Sequence, residues 1–215
     1  MGIRFGSISY LNLLPFHIFL KKRLKSSGAK MAFHHNRAIP SKINHDFKRR
    51  AIHAAFISSV VSKKCHCTDV GIIAKKSVYS VLLIPGEDQK DPASATSNKL
   101  AQLLGLKGRV FIGDAALQYY LKGGKGIDLA EAWYAKTGLP FVFARLCYNQ
   151  ESTYINKLAQ AFVAKKVRIP QYILKKEAQK RAITSNELHW YLEHIHYKMD
   201  WKAKKSLKKF LQYNR

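Results

Sequence analysis

Ile3-Arg4-Phe5-Gly6-Ser7-Ile8 is followed by Ser9-Tyr10-Leu11-Asn12 and then by a run from Leu13 to Leu24, and the reading of these three pieces decides the fold. The first is short, β-prone and partly alternating, which predicts a strand. The third places apolar residues at helical spacing, with Pro15 near the first turn, where a missing N–H costs little. The polar tetrapeptide between them therefore lies where a strand ends and a helix N-terminus begins. Free backbone N–H groups make such a place attractive to anions.

Working outward, the same alternation continues. The patterns predict a strand over 30–34, a helix over 41–50, and a buried strand over 54–57 followed by Ser58-Ser59. Further strands are predicted over 70–74 and 78–84, and Pro85-Gly86-Glu87-Asp88 is a turn rich in breakers, where a first crossing between domains is placed. Thr96 or Ser97 can cap a helix to residue 104, a strand follows over 109–112, and a helix over 114–121 closes at Gly123-Gly124. Another helix runs over 128–136 toward Gly138, residues 140–145 are β-prone, and beyond Glu151 the chain is almost wholly helical by period. Strands alternating with helices argue an α/β architecture with mainly parallel pairing, in which ligands lie at strand C-terminal ends. Ser9 to Asn12, Ser58-Ser59, Ser80, Ser94 to Asn98 and Gly113-Asp114 all fall near such ends, so one cleft could collect them.

The chain has 215 residues, room for one large or two small domains, and its 47% apolar and 24% charged content suits a packed core. Lys and Arg number 38 against 13 Asp and Glu, a formal charge of +25. Nucleic acid, a small anionic ligand and a generally basic surface all fit that total. The basic residues are spread along the polar sides of amphipathic segments, and no helix-turn-helix, aromatic RNA-binding or zinc-finger pattern accompanies them, which disfavours nucleic acid. No apolar run approaches the ~20 residues of a membrane span, and the N-terminus lacks a secretory leader, so a cytoplasmic location is expected. Three cysteines, Cys65, Cys67 and Cys147, are too few to staple the chain and are expected to stay thiols.

Several motifs carry less than they suggest. Cys65-His66-Cys67 points its thiols one way and the imidazole the other, so a metal site is not expected. Gly123-Gly124-Lys125-Gly126 lacks the spacing and the Ser or Thr of a phosphate-binding loop. The last segment, from Trp201, spaces Ala203, Leu207, Phe210 and Leu211 helically between lysines, which predicts a terminal helix docked on the domain rather than a membrane anchor. Ser94-Ala95-Thr96-Ser97-Asn98 is more informative, because hydroxyls and free helix-end N–H groups together make a carboxylate cradle.

Taken with the first loop, that cradle completes a resemblance. Ser7 to Phe16, Ala55 to Val60, Ser80 to Leu83, Asp91 with Ser94 to Ser97, Ile112 to Leu117, and Asp128 through Trp133 to Ala144 resemble, in order, the chorismate dehydratases of the futalosine route to menaquinone. The resemblance implies a type II periplasmic-binding-protein-like α/β fold with two lobes and a ligand cleft between them, expected as 1–84 with 175–215 and as 85–174. It also implies conversion of chorismate to 3-[(1-carboxyvinyl)oxy]benzoate and water, without metal or organic cofactor.

By the same resemblance Asn12 is the catalytic candidate, orienting substrate or donating hydrogen bonds to developing charge. Ser58, Ser59, Thr96 and Ser97 are expected to clamp the two carboxylates, with Ser9, Tyr10, Ser80, Ser94 and Asp114 also binding substrate. The substrate's own enolpyruvyl carboxylate is expected to take the proton from C3. Leu13 stands where a small polar residue is expected and is predicted to narrow the pocket. A non-catalytic binding protein for a small carboxylate is the alternative, and RNA binding a third class.

Overall fold

In the computed structural model, which describes residues 3–24, 26–35 and 37–213, the opening strand β1 (Ser7–Ile8) passes through a 3-10 turn (Leu11–Leu13) into α1 (Leu14–Arg23). Helix α2 (Ser27–His35), strand β2 (Arg37–Ala38) and helix α3 (Pro40–Lys48) lead to β3 (Ala54–Ser58) and the long β4 (His66–Ala74). After β5 (Val81–Ile84) come α4 (Ala95–Leu104), β6 (Arg109–Ile112), α5 (Gly113–Leu121), β7 (Ile127–Asp128) and α6 (Leu129–Thr137). The chain then forms β8 (Phe141–Tyr148), α7 (Ser152–Val163), α8 (Gln171–Gln179), α9 (Ser185–Glu193), β9 (Ile195–Lys198) and α10 (Trp201–Gln212).

Local chemistry explains the helix ends. Ser94 caps α4 by accepting from the Ser97 N–H, and Gly105 ends that helix in the left-handed conformation. Asp128 caps α6 through the N–H groups of Ala130 and Glu131, and Thr184 with Glu187 forms a capping box on α9. The second carboxylate oxygen of Asp128 accepts from the N–H groups of Val78 and Tyr79, so one side chain fixes both a helix start and the approach to β5.

Two principal sheets result, ordered β3-β8-β4-β9 and β6-β5-β7, with β1 and β2 as a separate pair. The strands of both principal sheets pair antiparallel, β1 pairs with β2 in parallel, and single parallel bridges join Phe5 to Ala54 and Gln89 to Arg109. This corrects the expectation of mainly parallel pairing. Alternation along the chain counts elements but not their direction, and a connection long enough for a parallel crossover can equally return a strand antiparallel. Sheet membership also differs from the expected division, since β5 pairs with β6 and β7 while β8 lies between β3 and β4.

Two elements and one bond correct further expectations. Residues 30–34 belong to α2 rather than a strand, a short apolar run that periodicity alone leaves ambiguous. The helical last third is interrupted by β9, which pairs with the distant β4. Cys67 and Cys147 are disulfide-bonded, and Cys65 is free. They stand directly opposite in the β4–β8 register, a neighbour relation that cysteine spacing cannot reveal.

The core is aromatic where the layers meet. Phe16 of α1 stands edge-on to Phe56 at 5.0 Å and to Phe162 of α7 at 5.1 Å. Helix α10 docks as expected, burying Ala203, Leu207 and Phe210, and Ser206 accepts from the Trp133 indole at 2.9 Å. Among the described residues no helix is long and apolar enough to cross a membrane.

Candidate active site

The site grows from the loop after β1. Leu11 and Leu13 are each 1% exposed and anchor the 3-10 turn in the core, so Leu13 packs inward rather than narrowing a pocket. Asn12, held between them, accepts at its carbonyl from the Tyr197 hydroxyl at 2.6 Å. Its side-chain amide faces the Tyr191 phenol, a contact that opposes the rise of the phenol pKa on burial. Its Oδ1 is buried and has no hydrogen-bond partner. Tyr191 in turn shares a 2.8 Å hydrogen bond with Ser80, at the entrance to β5. Thus Asn12, Tyr191 and Ser80, from three distant stretches of chain, meet in one polar cluster.

A second cluster holds the loop against α5. The Leu11 N–H donates to Asp114 Oδ1 at 2.8 Å, and the Arg181 Nε donates to Asp114 Oδ2 at 2.9 Å. The same guanidinium donates to the Ser9 carbonyl at 2.9 Å and pairs with Glu177. Tyr10 lies on Gly113, where a Cβ would fall 2.7 Å from the phenol ring and φ is +77°, so only glycine fits. A third contact lies nearby, where the Val60 N–H donates to Thr96 Oγ1 at 3.4 Å. The second cluster ties the loop after β1 to α5, and the third contact ties the end of β3 to α4.

The predicted hydroxyls divide by what they already hold. Ser58 accepts from the Asn44 amide at 2.8 Å and donates its N–H to the Asn44 Oδ1 at 3.1 Å. Ser59 donates to the Val142 carbonyl at 2.6 Å, and Ser94 donates to Ser97 Oγ at 2.7 Å while capping α4. These hydroxyls satisfy strand ends and a helix cap first. Ser80 and Thr96 lie in the contacts that join distant parts of the chain, while Ser9 contributes its carbonyl and has an exposed side chain.

Electrostatics make the site a donor rather than a base. Burial, with the charges of Asp91 and Asp114 behind it, pushes the Tyr10 phenol up to about 12. Burial also raises Tyr191 and Tyr197, so all three remain protonated hydroxyls near neutral pH. Burial raises Asp114 as well, against the pull of the Leu11 N–H and Arg181. Both of its oxygens are engaged, so it organises the loop. Sequence reasoning missed Arg181, Tyr191, Tyr197 and Asn44. The available signal was a pair of tyrosines, Tyr191 and Tyr197, on apolar-facing positions where a leucine would pack without needing a partner.

An α/β chain built on two principal sheets with helices around them fits the periplasmic-binding-protein class of fold. Solved structures bear this out: a protein from Archaeoglobus fulgidus matches with a TM-score of 0.71 at 11% identity, covering 98% of this chain and 95% of its own. The periplasmic aliphatic sulphonate binding protein of Escherichia coli matches with a TM-score of 0.57 at 12% identity, covering 98% and 85%. The family model described as menaquinone biosynthesis matches residues 94–215. A chorismate dehydratase of Campylobacter jejuni subsp. jejuni is 44% identical over 213 residues, 97% of this chain and 96% of its own length. The chain belongs to that menaquinone biosynthesis family.

Proposed function

We propose that the protein is a chorismate dehydratase, a hydro-lyase that converts chorismate to 3-[(1-carboxyvinyl)oxy]benzoate and water on the futalosine route to menaquinone. The observation that carries this reading is the 44% identity to a chorismate dehydratase over nearly the whole of both chains. The reading includes a cytoplasmic site of action and a small dianion, not nucleic acid, as partner.

The reaction removes the hydrogen from C3 and the hydroxyl from C4, and the ring becomes aromatic. Charge that develops at C3 delocalises through the adjacent double bond into the ring carboxylate, so donors at that carboxylate stabilise the barrier. Thr96, Ser80 and the N-terminal N–H groups of α4 are the donors we assign to the carboxylates. The substrate's enolpyruvyl carboxylate takes the C3 proton, because Asp114 is engaged on both oxygens and the buried phenols are already protonated. The departing C4 hydroxide receives that proton, and water leaves.

Asn12 sits at the centre of this scheme. An amide NH₂ has two donors, so one N–H of Asn12 stays toward the Tyr191 phenol while the second donates to the departing C4 oxygen. We assign the two lobes to the two principal sheets with their helices. The +25 charge draws the dianion inward.

The test is to incubate purified protein with chorismate alone and follow the absorption spectrum and product mass. Conversion of the diene to a benzoate chromophore supports the reading. An unchanged diene spectrum with saturable binding would favour a carboxylate-binding protein instead.

A further inference from the structure

A cavity of about 1310 Å³ opens among α1, α7, the 164–170 segment, α8, α9 and β9. Its lining includes none of Asn12, Ser58, Ser80, Thr96 or Asp114, so it is distinct from the candidate site. Phe162, Leu174 and Ile195 are buried residues of its floor, and Leu192 adds partly exposed apolar surface. Six cations surround that floor: Lys22, Lys75, Lys165, Lys166, Arg168 and Lys198.

The two lining carboxylates do not neutralise this ring. Glu193 lies 4.0 Å from Lys166 and 3.8 Å from His189, while Asp200 accepts from the Ala203 N–H at the start of α10. Lys22, Lys75, Lys165, Arg168 and Lys198 form no ion pair with a carboxylate among the described residues. Solitary exposed lysines are ordinary on a basic protein. Here five uncompensated cations border one apolar-floored concavity that exceeds the ~300–1,000 Å³ of usual small-molecule pockets. An inorganic anion would leave the floor wet, and a neutral apolar molecule would leave the cations unpaired.

The cavity also touches the catalytic loop from behind. Tyr197 lines it and donates its hydroxyl to the Asn12 carbonyl, and Pro15, three residues beyond Asn12, lines it too.

We propose that this cavity is a second ligand site for an amphiphilic organic anion, an apolar aromatic or acyl body bearing a carboxylate, sulphonate or phosphate, and that its occupancy acts on Asn12 through Tyr197. The apolar body covers Phe162, Leu174, Leu192 and Ile195, and the anionic group meets the rim. The ring of Tyr197, shifted by a ligand, moves the hydroxyl that holds the 3-10 turn.

The probe is 8-anilinonaphthalene-1-sulfonate, titrated by fluorescence beside its uncharged analogue N-phenyl-1-naphthylamine. The sulfonate is expected to bind saturably at one site. Affinity is expected to fall about tenfold in the exposed-charge variant Lys165→Glu/Arg168→Glu and again in 0.5 M salt, with an unchanged melting temperature showing that the variant folds. Saturating chorismate should not displace the probe. Displacement by chorismate, or equal affinity in the charge variant, would overturn the site. Dimerisation in light scattering that the same charge variant abolishes would overturn it in favour of a second copy of the chain. For the coupling, probe occupancy should change the maximal turnover of chorismate without competing for substrate, and Tyr197→Phe should remove that effect while keeping probe affinity within twofold. Turnover insensitive to occupancy would overturn the coupling. The binding arm is read without any turnover, so its failure is distinguishable from failure of the proposed reaction.

Discussion

The hydroxyls of Tyr191 and Ser80 lie 2.8 Å apart although 111 residues separate them. Tyr191 comes from α9 and Ser80 from the entrance to β5, and Asn12 joins them from the loop after β1. Tyr191→Phe keeps the ring but leaves the buried Ser80 hydroxyl short of its partner, a loss of about 1–2 kcal/mol. The predicted result is a turnover number lowered about tenfold with a small change in KM, because Tyr191 orients the Asn12 amide and the Ser80 hydroxyl and does not itself grip the substrate. Steady-state kinetics beside a melting curve separate this from simple destabilisation.

Asp114 joins the first loop to Arg181 while largely buried, so its loss leaves a guanidinium without its carboxylate. Asp114→Asn retains an acceptor for the Leu11 N–H. Stability is expected to fall by ~2 kcal/mol, short of the full cost of a broken buried pair because both side chains keep some solvent contact. Turnover should fall with it, since the Ser9–Asn12 loop loses its anchor. Chemical denaturation and activity on the same preparation check both, and undiminished activity at reduced stability would remove Asp114 from the site.

Buried phenols set the alkaline limit. Tyr10 titrates at about 12 and Tyr191 and Tyr197 are raised too, whereas an unfolded chain ionises tyrosine near 10. A raised folded-state pKa contributes stability that is complete below the unfolded value and lost as pH climbs through the folded one. Denaturation free energy is therefore predicted to drop between about pH 10 and 12. Absorbance at 295 nm should show these phenols ionising together with unfolding, and independent gradual ionisation in a folded protein would contradict the prediction.

The Cys67–Cys147 bond closes a separation of 80 residues, for which chain entropy gives roughly 4 kcal/mol. Unfolded without reductant, the protein is expected to offer Cys65 alone to a thiol reagent. Dithiothreitol should lower the melting temperature by on the order of 10 °C. Three reactive thiols and a melting temperature indifferent to reductant would mean the pair is reduced.

Much of this fold can be read from local chemistry. The Ser9–Asn12 junction, the Ser94 cap, the Asp128 start and the Gly138 stop of α6, and the docked α10 follow from residue types that admit few alternatives. Strand direction does not, because β8 enters between β3 and β4 through contacts that no local pattern encodes. For the same reason the Cys67–Cys147 pair and strand β9 escape a reading by period. The candidate site divides likewise: Asn12, Ser80 and Thr96 are legible because motif blocks carry them, while Tyr191, Tyr197 and Arg181 sit in a stretch that looks like ordinary packing. Their hydroxyl and guanidinium groups acquire meaning only when α8, α9 and β9 meet the first loop.

The proposed dehydration stands or falls on the Asn12 amide. The decisive measurement is the single-turnover rate of chorismate loss with Asn12→Ala in excess over substrate, with the dissociation constant measured on the same preparation. Loss of a transition-state donor predicts a chemical step slowed about 10²–10³-fold and an affinity changed no more than a few-fold. A variant that dehydrates chorismate at the wild-type rate would contradict it.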